Sequence, residues 1–183
     1  NQVTVRLDYN ISQKHSLYGR IIKEKNNSTN QGTYPGLITS VQNNAFNKQG
    51  PGSAVLDYIW TMTPKTIFHA NVGATRFDTR STQPSIGFDP ATLGFAANLA
   101  NASGDSKVFP TIAPVGYSQL GPNRNFGIAI NSQDTFTFTQ DVSLLRGAHT
   151  IKFGGNQRFF TIYNYRTDDP AGNFNFTRSF TAR

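Results

Sequence analysis

Hydrophobic and polar residues alternate along several segments of about ten residues in this chain. In the first, residues 3–11, apolar side chains occupy the odd positions and polar ones the even positions. Successive side chains on a β-strand point to opposite faces, so the pattern predicts a strand with one apolar and one polar face. Similar alternation predicts further strands at about 17–25, 54–63, 66–77, 133–145 and 148–165, and a turn at residues 169–172 predicts a seventh strand at 173–177. We therefore predict an all-β chain with six to seven strands.

The connections between these strands alternate between short and long. Tight turns are predicted at Ser12–Ser16, Thr63–Thr66 and Arg146–His149, whereas residues 26–52 and 78–127 are long and polar. In an antiparallel up-and-down meander every second connection lies at the same end. Outer-membrane β-barrels have this asymmetry, with short periplasmic turns and longer extracellular loops. A ten-residue strand tilted by about 40° rises roughly 25 Å, the height of a barrel's apolar band.

The second long connection contains the signal of a helix start. Asp89 stands before Pro90, and Asp is a favoured N-cap residue while Pro is favoured at the first helical position. We therefore predict a short helix over about residues 90–101. The apolar residues expected to cluster with it are Leu93, Phe95 and Leu99.

Composition excludes several classes of protein. The 183 residues contain no Cys, which excludes disulfides and thiolate metal sites. The chain contains no run of 18 apolar residues, so no transmembrane helix is predicted. The net charge is +7, but Lys and Arg are scattered singly, which argues against nucleic acid as a partner. Outward basic residues would instead meet anionic lipid head groups.

Motifs for catalysis or metal binding are lacking. His15, His69 and His149 do not have metal-ligand spacing. There is no nucleophile elbow and no phosphate-binding loop. We therefore expect no enzymatic activity, no metal and no cofactor.

The polar face of the strands is the candidate functional surface. Its charged residues would face a barrel lumen, where they would contact a plug or a passing solute, or pair with one another across strands. They are Arg6, Asp8, Arg20, Glu24, Asp57, His69, Asp141, Lys152 and Arg158. The long loops would capture the ligand, since binding residues concentrate on loops held by a rigid scaffold. The loop aromatics available for stacking are Tyr34, Phe46, Tyr117 and Phe126.

Four polar residues interrupt the apolar face. Lys23, Arg76 and Asp134 lie where a strand meets a long loop, so head groups and water would solvate them at low cost. Gln140 lies between Phe138 and Val142, and only a local bulge would re-aim it.

Three stretches of the chain resemble the TonB-dependent receptors of the Oar-like type. They are VRLDYNISQKHSLYGR, then FDPATLGFAANLA followed by VFPTI and GYSQLG, and RGAHTIKFGGNQRF. The resemblance implies an outer-membrane barrel of about 22 strands in a Gram-negative bacterium. Residues 1–183 would supply six or seven of them, as an internal piece without the plug and N-terminal regions. Implied partners are outer-membrane lipid, the remaining barrel and plug, an inner-membrane energy-coupling complex and a large solute such as a siderophore or glycan.

A soluble or surface-attached β-sandwich adhesion module is the alternative. Its strands also alternate with period two, because their apolar faces point to a shared core. Sandwich strands usually have about 5–6 residues, and their loops need not be long at one end only. Strand length and loop asymmetry therefore favour the barrel.

Overall fold

The computed structural model describes residues 1–30, 34, 36, 46–102, 104–122 and 126–180. Its strands are β1 (Gln2–Ser12), β2 (His15–Glu24), β3 (Asn26–Thr29), β4 (Phe46–Gln49), β5 (Gly52–Thr63), β6 (Thr66–Thr82), β7 (Thr111–Pro114), β8 (Phe126–Arg146), β9 (His149–Asp168) and β10 (Asn173–Phe176). The helix α1 spans Ala97–Ala102, and 3-10 helices span Pro90–Leu93, Gly104–Ser106 and Arg178–Phe180. No helix in these ranges has the length and apolar character needed to cross a membrane.

Six long strands form the predicted antiparallel meander. Their order in the sheet is β1-β2-β5-β6-β8-β9, which is also their order along the chain. The tight turns at Ser12–Ser16, Thr63–Thr66 and Arg146–His149 join strand pairs at one end, and the long connections leave from the other. Within the described residues β1 and β9 each pair on one side only. The fold class predicted from the sequence is confirmed.

Strand register gathers the apolar positions into one continuous face. Val5, Ile21, Ala54 and Ala74 lie side by side in one row across four strands. The next row is Leu7, Gly19, Leu56 and Val72. These side chains are not a core, because Leu7 is 74% exposed and Leu56 is 51% exposed.

Aromatic residues gather on the apolar face near the tight turns. The His15 ring stacks on Tyr58 and Trp60 at centroid distances of 5.9 and 5.5 Å, and Phe68 meets Tyr58 edge-on at 6.5 Å. Trp60 lies eight residues from Gly52 at the loop end, which is about 26 Å along the strand. At a tilt of about 40° this length rises roughly 20 Å, which fits within the apolar band of about 25 Å that aromatic girdles border in outer-membrane barrels.

The chain divides into two compact units. The strand unit comprises Asn1–Lys25, Gln49–Asp78 and Ser132–Tyr163, and the loop unit comprises Asn26–Lys48, Thr79–Asn131 and Asn164–Arg183. The loop unit has a small core in which Val108 and Ala171 are fully buried and Phe109 is nearly so. Phe109 packs against Phe88 with ring centroids 5.1 Å apart.

The long connections contain more strand than the sequence predicted. β3 and β4 lie inside the predicted loop 26–52, and β8 begins at Phe126 rather than near residue 133. β5 ends its pairing with β6 at Arg76, which leaves the rest of β6 free to pair with β4. Backbone pairing therefore extends the sheet through polar sequence that shows no alternation.

The seventh predicted strand is not part of the meander. β10 pairs in parallel with β7 in a separate two-stranded sheet. The turn before it has positive φ at Asp169 and Gly172, and Ala171 within the turn is completely buried. This turn redirects the chain onto β7, which lies inside the predicted loop 78–127.

The predicted helix is two short helices. Asp89 Oδ1 accepts a hydrogen bond from the Ala91 amide at 3.1 Å, as expected for an N-cap. The first helix then stops at Leu93 because Gly94 adopts a left-handed conformation with φ of 84°. Phe95 of the predicted apolar cluster packs against Phe174 of β10 with ring centroids 4.9 Å apart, and the contact of Phe95 with Leu93 and Leu99 stays a prediction.

Candidate functional surface

A chain of charged side chains crosses four strands on the polar face of the strand unit. His69 of β6 lies between two carboxylates, with Nε2 2.8 Å from Asp57 Oδ2 and Nδ1 3.0 Å from Asp141 Oδ2. Asn71 donates to the same Asp57 oxygen at 2.9 Å. Lys152 Nζ lies 3.1 Å from Asp141 Oδ1. We call these five residues the polar network.

The geometry of the network suits an imidazolium between two carboxylates. Carboxylates only accept hydrogen bonds, so both nitrogens of His69 donate when Asp57 and Asp141 are ionised. The side chains of Asp57 and Asp141 are 10% and 14% exposed, whereas that of Lys152 is 64% exposed. The network can therefore balance two shielded negative charges with one central and one solvent-facing positive charge.

Strand register explains why the network assembles. Asp57 on β5 lies directly opposite Asn71 on β6, and His69 is two residues along on the same face. Within the described part of the strand unit, Asp57 is the one buried residue, at 8% exposure. The polarity of this unit is thus inverted relative to a water-soluble domain, with a carboxylate shielded and Leu, Val and Phe exposed.

A second pair of charges lies on the same face of β1. Arg6 donates two hydrogen bonds to Asp8, at 2.8 and 2.7 Å, and its guanidinium lies 4.7 Å from the ring centroid of Tyr18. Both side chains are more than half exposed, so this pair stabilises the fold little. Arg20 lies directly opposite Arg6 in the register.

The structure joins only some of the predicted surface residues. Asp57, His69, Asp141 and Lys152 meet in the polar network, and Arg6 meets Asp8. Neither Glu24 at the end of β2 nor Arg158 in β9 has a described hydrogen bond or ion pair with them. That all nine line a lumen stays a prediction.

Sequence reasoning missed two contributors to this surface, Asn71 and Tyr18. Both lie on the polar parity of their strands. The strand register places Asn71 opposite Asp57 and Tyr18 opposite Asp8. Counting back from the turns would not have identified these pairs, because the register shifts by one residue beside each turn, between Asn10 and Ser12 and between Thr61 and Thr63.

The predicted loop aromatics differ in their surroundings. Tyr117 is 81% exposed in a turn after β7, and Tyr34 is partly exposed in a bend. Phe46 and Phe126 are the first residues of β4 and β8, so their assignment to loops is wrong. The side chain of Phe126 lies outside the described residues.

Glycines in β9 and β6 allow close approach of neighbouring strands. A Cβ atom at Gly154 would overlap the carbonyl oxygen of Gln140 and lie 2.6 Å from the Asp141 Cβ. A Cβ at Gly73 would lie 2.6 Å from Thr137 Oγ1. Gly154 therefore lets β9 approach β8 beside Asp141 of the polar network.

The described residues include no group of three or more His, Asp or Glu side chains placed to hold a metal ion. The polar network has two carboxylates and one imidazole already bonded to one another. The absence of a metal or cofactor stays a prediction.

Comparison with known proteins identifies one family. The model of a family described as an outer membrane beta barrel domain matches residues 1–183. No curated protein and no solved structure matches the chain.

Proposed function

This chain belongs to the outer membrane beta barrel domain family, and on that premise we propose that it is part of a TonB-dependent, Oar-like receptor that passes a large solute across the outer membrane. Membership of the family places the protein in the outer membrane of Gram-negative bacteria, in contact with its lipid. The resemblance of three stretches of sequence to Oar-like receptors supports the finer assignment.

The opposite polarity of the two sheet faces carries the proposal. One face exposes apolar side chains, with Leu7, Val72 and Phe153 each more than half exposed. The other contains the polar network, in which Asp57 is buried. Lipid would cover the apolar side chains of the first face, and a polar barrel interior would surround the charged side chains of the second. Barrels that conduct or admit solutes have this arrangement.

The open edges of the sheet support a larger assembly. β1 has 11 residues and β9 has 20, and each pairs on one side only among the described strands. Unpaired backbone groups in hydrocarbon cost several kcal/mol each, so spanning sheets close into barrels. The partners proposed for these edges are the remaining strands of the same barrel, enclosing a plug.

The loops and the polar face would divide the work of transport. Tyr117 projects from the loop unit and is available to stack on a sugar or an aromatic solute. The polar network would contact the plug or the passing solute. The protein would have no enzymatic activity, and an inner-membrane coupling complex would supply the energy.

The β-sandwich alternative is less well supported. A sandwich buries its apolar face against a second sheet. Within the strand unit the apolar face is open, and Tyr9, Ile21 and Phe159 are each more than 60% exposed. We therefore do not propose an adhesion module.

Solute depletion by intact cells tests the proposed function. Cells with and without the gene would be incubated in a defined mixture of ferric siderophores, oligosaccharides and peptides, and the medium would be analysed by mass spectrometry. We expect depletion of one class to require the gene and to stop when a protonophore removes the energy for coupling. Depletion that needs the gene but survives the protonophore would contradict TonB-dependent transport.

Placement of the loops can be tested separately. Single cysteines at Tyr117 and at Lys14, in the first tight turn, would be exposed to a membrane-impermeant thiol reagent in intact cells. Labelling of the first position alone is expected. Equal labelling of both would contradict a barrel with its long loops outside.

A further inference from the structure

The apolar face of the strand unit has a groove where its side chains are small. The small residues Gly19, Ala54 and Ala74 line it together with larger ones that include Leu7, Leu56 and Val72. Its volume is about 380 Å³. A second hollow of about 350 Å³ shares Ile21, Ala54 and Ala74 with the first and extends it toward the loop end.

The groove ends at a basic group. Lys23, Gly52 and Arg76 form one row across β2, β5 and β6 and line the second hollow. Gly52 keeps this row open, because a Cβ there would lie 3.3 Å from Lys23 Cδ. The groove thus runs from Gly19 to Lys23, which is about 13 Å along the strand. At a tilt of about 40° this is roughly 10 Å of depth, about a third of the ~30 Å hydrocarbon core of a bilayer.

Charge at this end is available to an anion. Arg76 is held by Asp134 through two hydrogen bonds of 2.6 Å, and Asp78 lies 3.9 Å away, so its charge is largely balanced. Lys23 has no carboxylate within 4.0 Å among the described residues, and its ammonium donates only a 3.4 Å bond to the Gly50 carbonyl. Lys23 is therefore the cation at this end that no described carboxylate pairs, although Asp134 also lines the second hollow.

We propose that this groove binds one lipid A molecule of the outer leaflet, with an acyl chain over Gly19, Ala54 and Ala74 and a phosphate at Lys23. Loop-end placement puts Lys23 in the outer leaflet when the long loops are extracellular. An acyl chain would fill the space above the small residues. A phosphate would supply the negative counter-charge that Lys23 lacks. This proposal rests on membership of the barrel family and not on TonB-dependent transport.

Native mass spectrometry of the full-length protein tests the site. The protein would be titrated in detergent with lipid A and, separately, with phosphatidylglycerol. We expect lipid A to bind about fivefold more weakly to Lys23→Gln, from the roughly 1 kcal/mol that a Lys contributes at an anionic surface. Gly19→Leu should also weaken binding, because its side chain would fill the groove; a Cβ there meets only ordinary contacts, the nearest 3.8 Å away at Leu56 Cδ1.

Matched controls separate the site from general lipid contact. Lys14→Gln removes a Lys at the opposite end, and Gly155→Leu adds the same side chain to β9, where a Cβ would meet nothing within 4 Å. Both should bind lipid A as the unaltered protein does. Unchanged binding in both Lys23→Gln and Gly19→Leu would overturn the proposal. Equal binding of phosphatidylglycerol and lipid A would overturn the choice of lipid A.

Discussion

The strand unit and the loop unit have opposite arrangements of polarity. In the loop unit Val108, Phe109 and Ala171 are buried, as in a small water-soluble domain. In the strand unit large apolar residues are exposed across five or more strands, and the buried residue is Asp57. One chain therefore contains one unit that excludes water from an apolar core and another whose apolar surface needs a different solvent.

The contrast shows that the surrounding solvent determines which interactions stabilise each unit. In the loop unit, burial of apolar surface drives packing, which is the usual hydrophobic effect. In the strand unit the hydrocarbon of the bilayer takes that role, and the side chains at the interior are free to be polar. Hydrogen bonds such as those of His69 then replace a core between the strands.

Truncation of a core residue should have the largest effect, and it should be confined to the loop unit. Phe109→Ala removes a ring packed on Phe88, and Phe→Ala in a core costs about 3–5 kcal/mol. Hydrogen exchange of the Ile112 amide, which donates to Leu120, would report the loss of protection. Leu56→Ala, on the exposed face, is the control and should leave that amide protected. Equal loss in both variants would contradict the division.

A charge placed on the apolar face should have the next largest effect. Leu56→Arg would put a guanidinium near the bilayer midplane and reduce the free energy of unfolding by about 2–4 kcal/mol. Ile59→Arg, three residues along β5 and on the opposite face, should cost much less, because Asp57 and water are near. Urea unfolding in lipid vesicles would measure both. A cost at Ile59 equal to or above that at Leu56 would reverse the assignment of the faces.

Sequence reasoning predicted the strand unit well and the loop unit poorly. Alternation marks any strand that separates two environments. The positions of β1, β5 and β6, and the face on which each of their side chains lies, were therefore predictable. β7 and β10 are four residues each, too short for a period to show. The turn at residues 169–172 marked β10, but neither β7 nor the parallel pairing of the two strands was predicted. For the polar network, the alternation placed Asp57, His69 and Asp141 on the polar face. The contact of Asp57 with His69 depends on strand register, and the contact of His69 with Asp141 joins residues 72 positions apart in the sequence.

Two adjacent glycines provide a smaller, sharply matched test of strand spacing. Gly154→Ala would place a methyl group against the Gln140 carbonyl and the Asp141 side chain, and overpacking of this kind costs about 1–3 kcal/mol. Gly155→Ala has open space around it and should change stability by no more than about 0.5 kcal/mol. Unfolding in vesicles would compare them. Similar values would show that β8 and β9 are further apart than described.

The smallest effect is expected from the centre of the polar network. His69→Leu leaves Asp57 and Asp141 without their shared partner, and loss of a partly buried hydrogen-bonding group costs about 1–2 kcal/mol. Lys152→Gln removes a mostly exposed charge and should change stability little. Because the cost of His69→Leu comes from the carboxylate it leaves behind, adding Asp57→Asn should restore part of the stability, and a double-mutant cycle would measure that coupling. Strictly additive effects would mean that the two side chains do not interact, and the polar face would then lack the shared charge balance that distinguishes it from the apolar one.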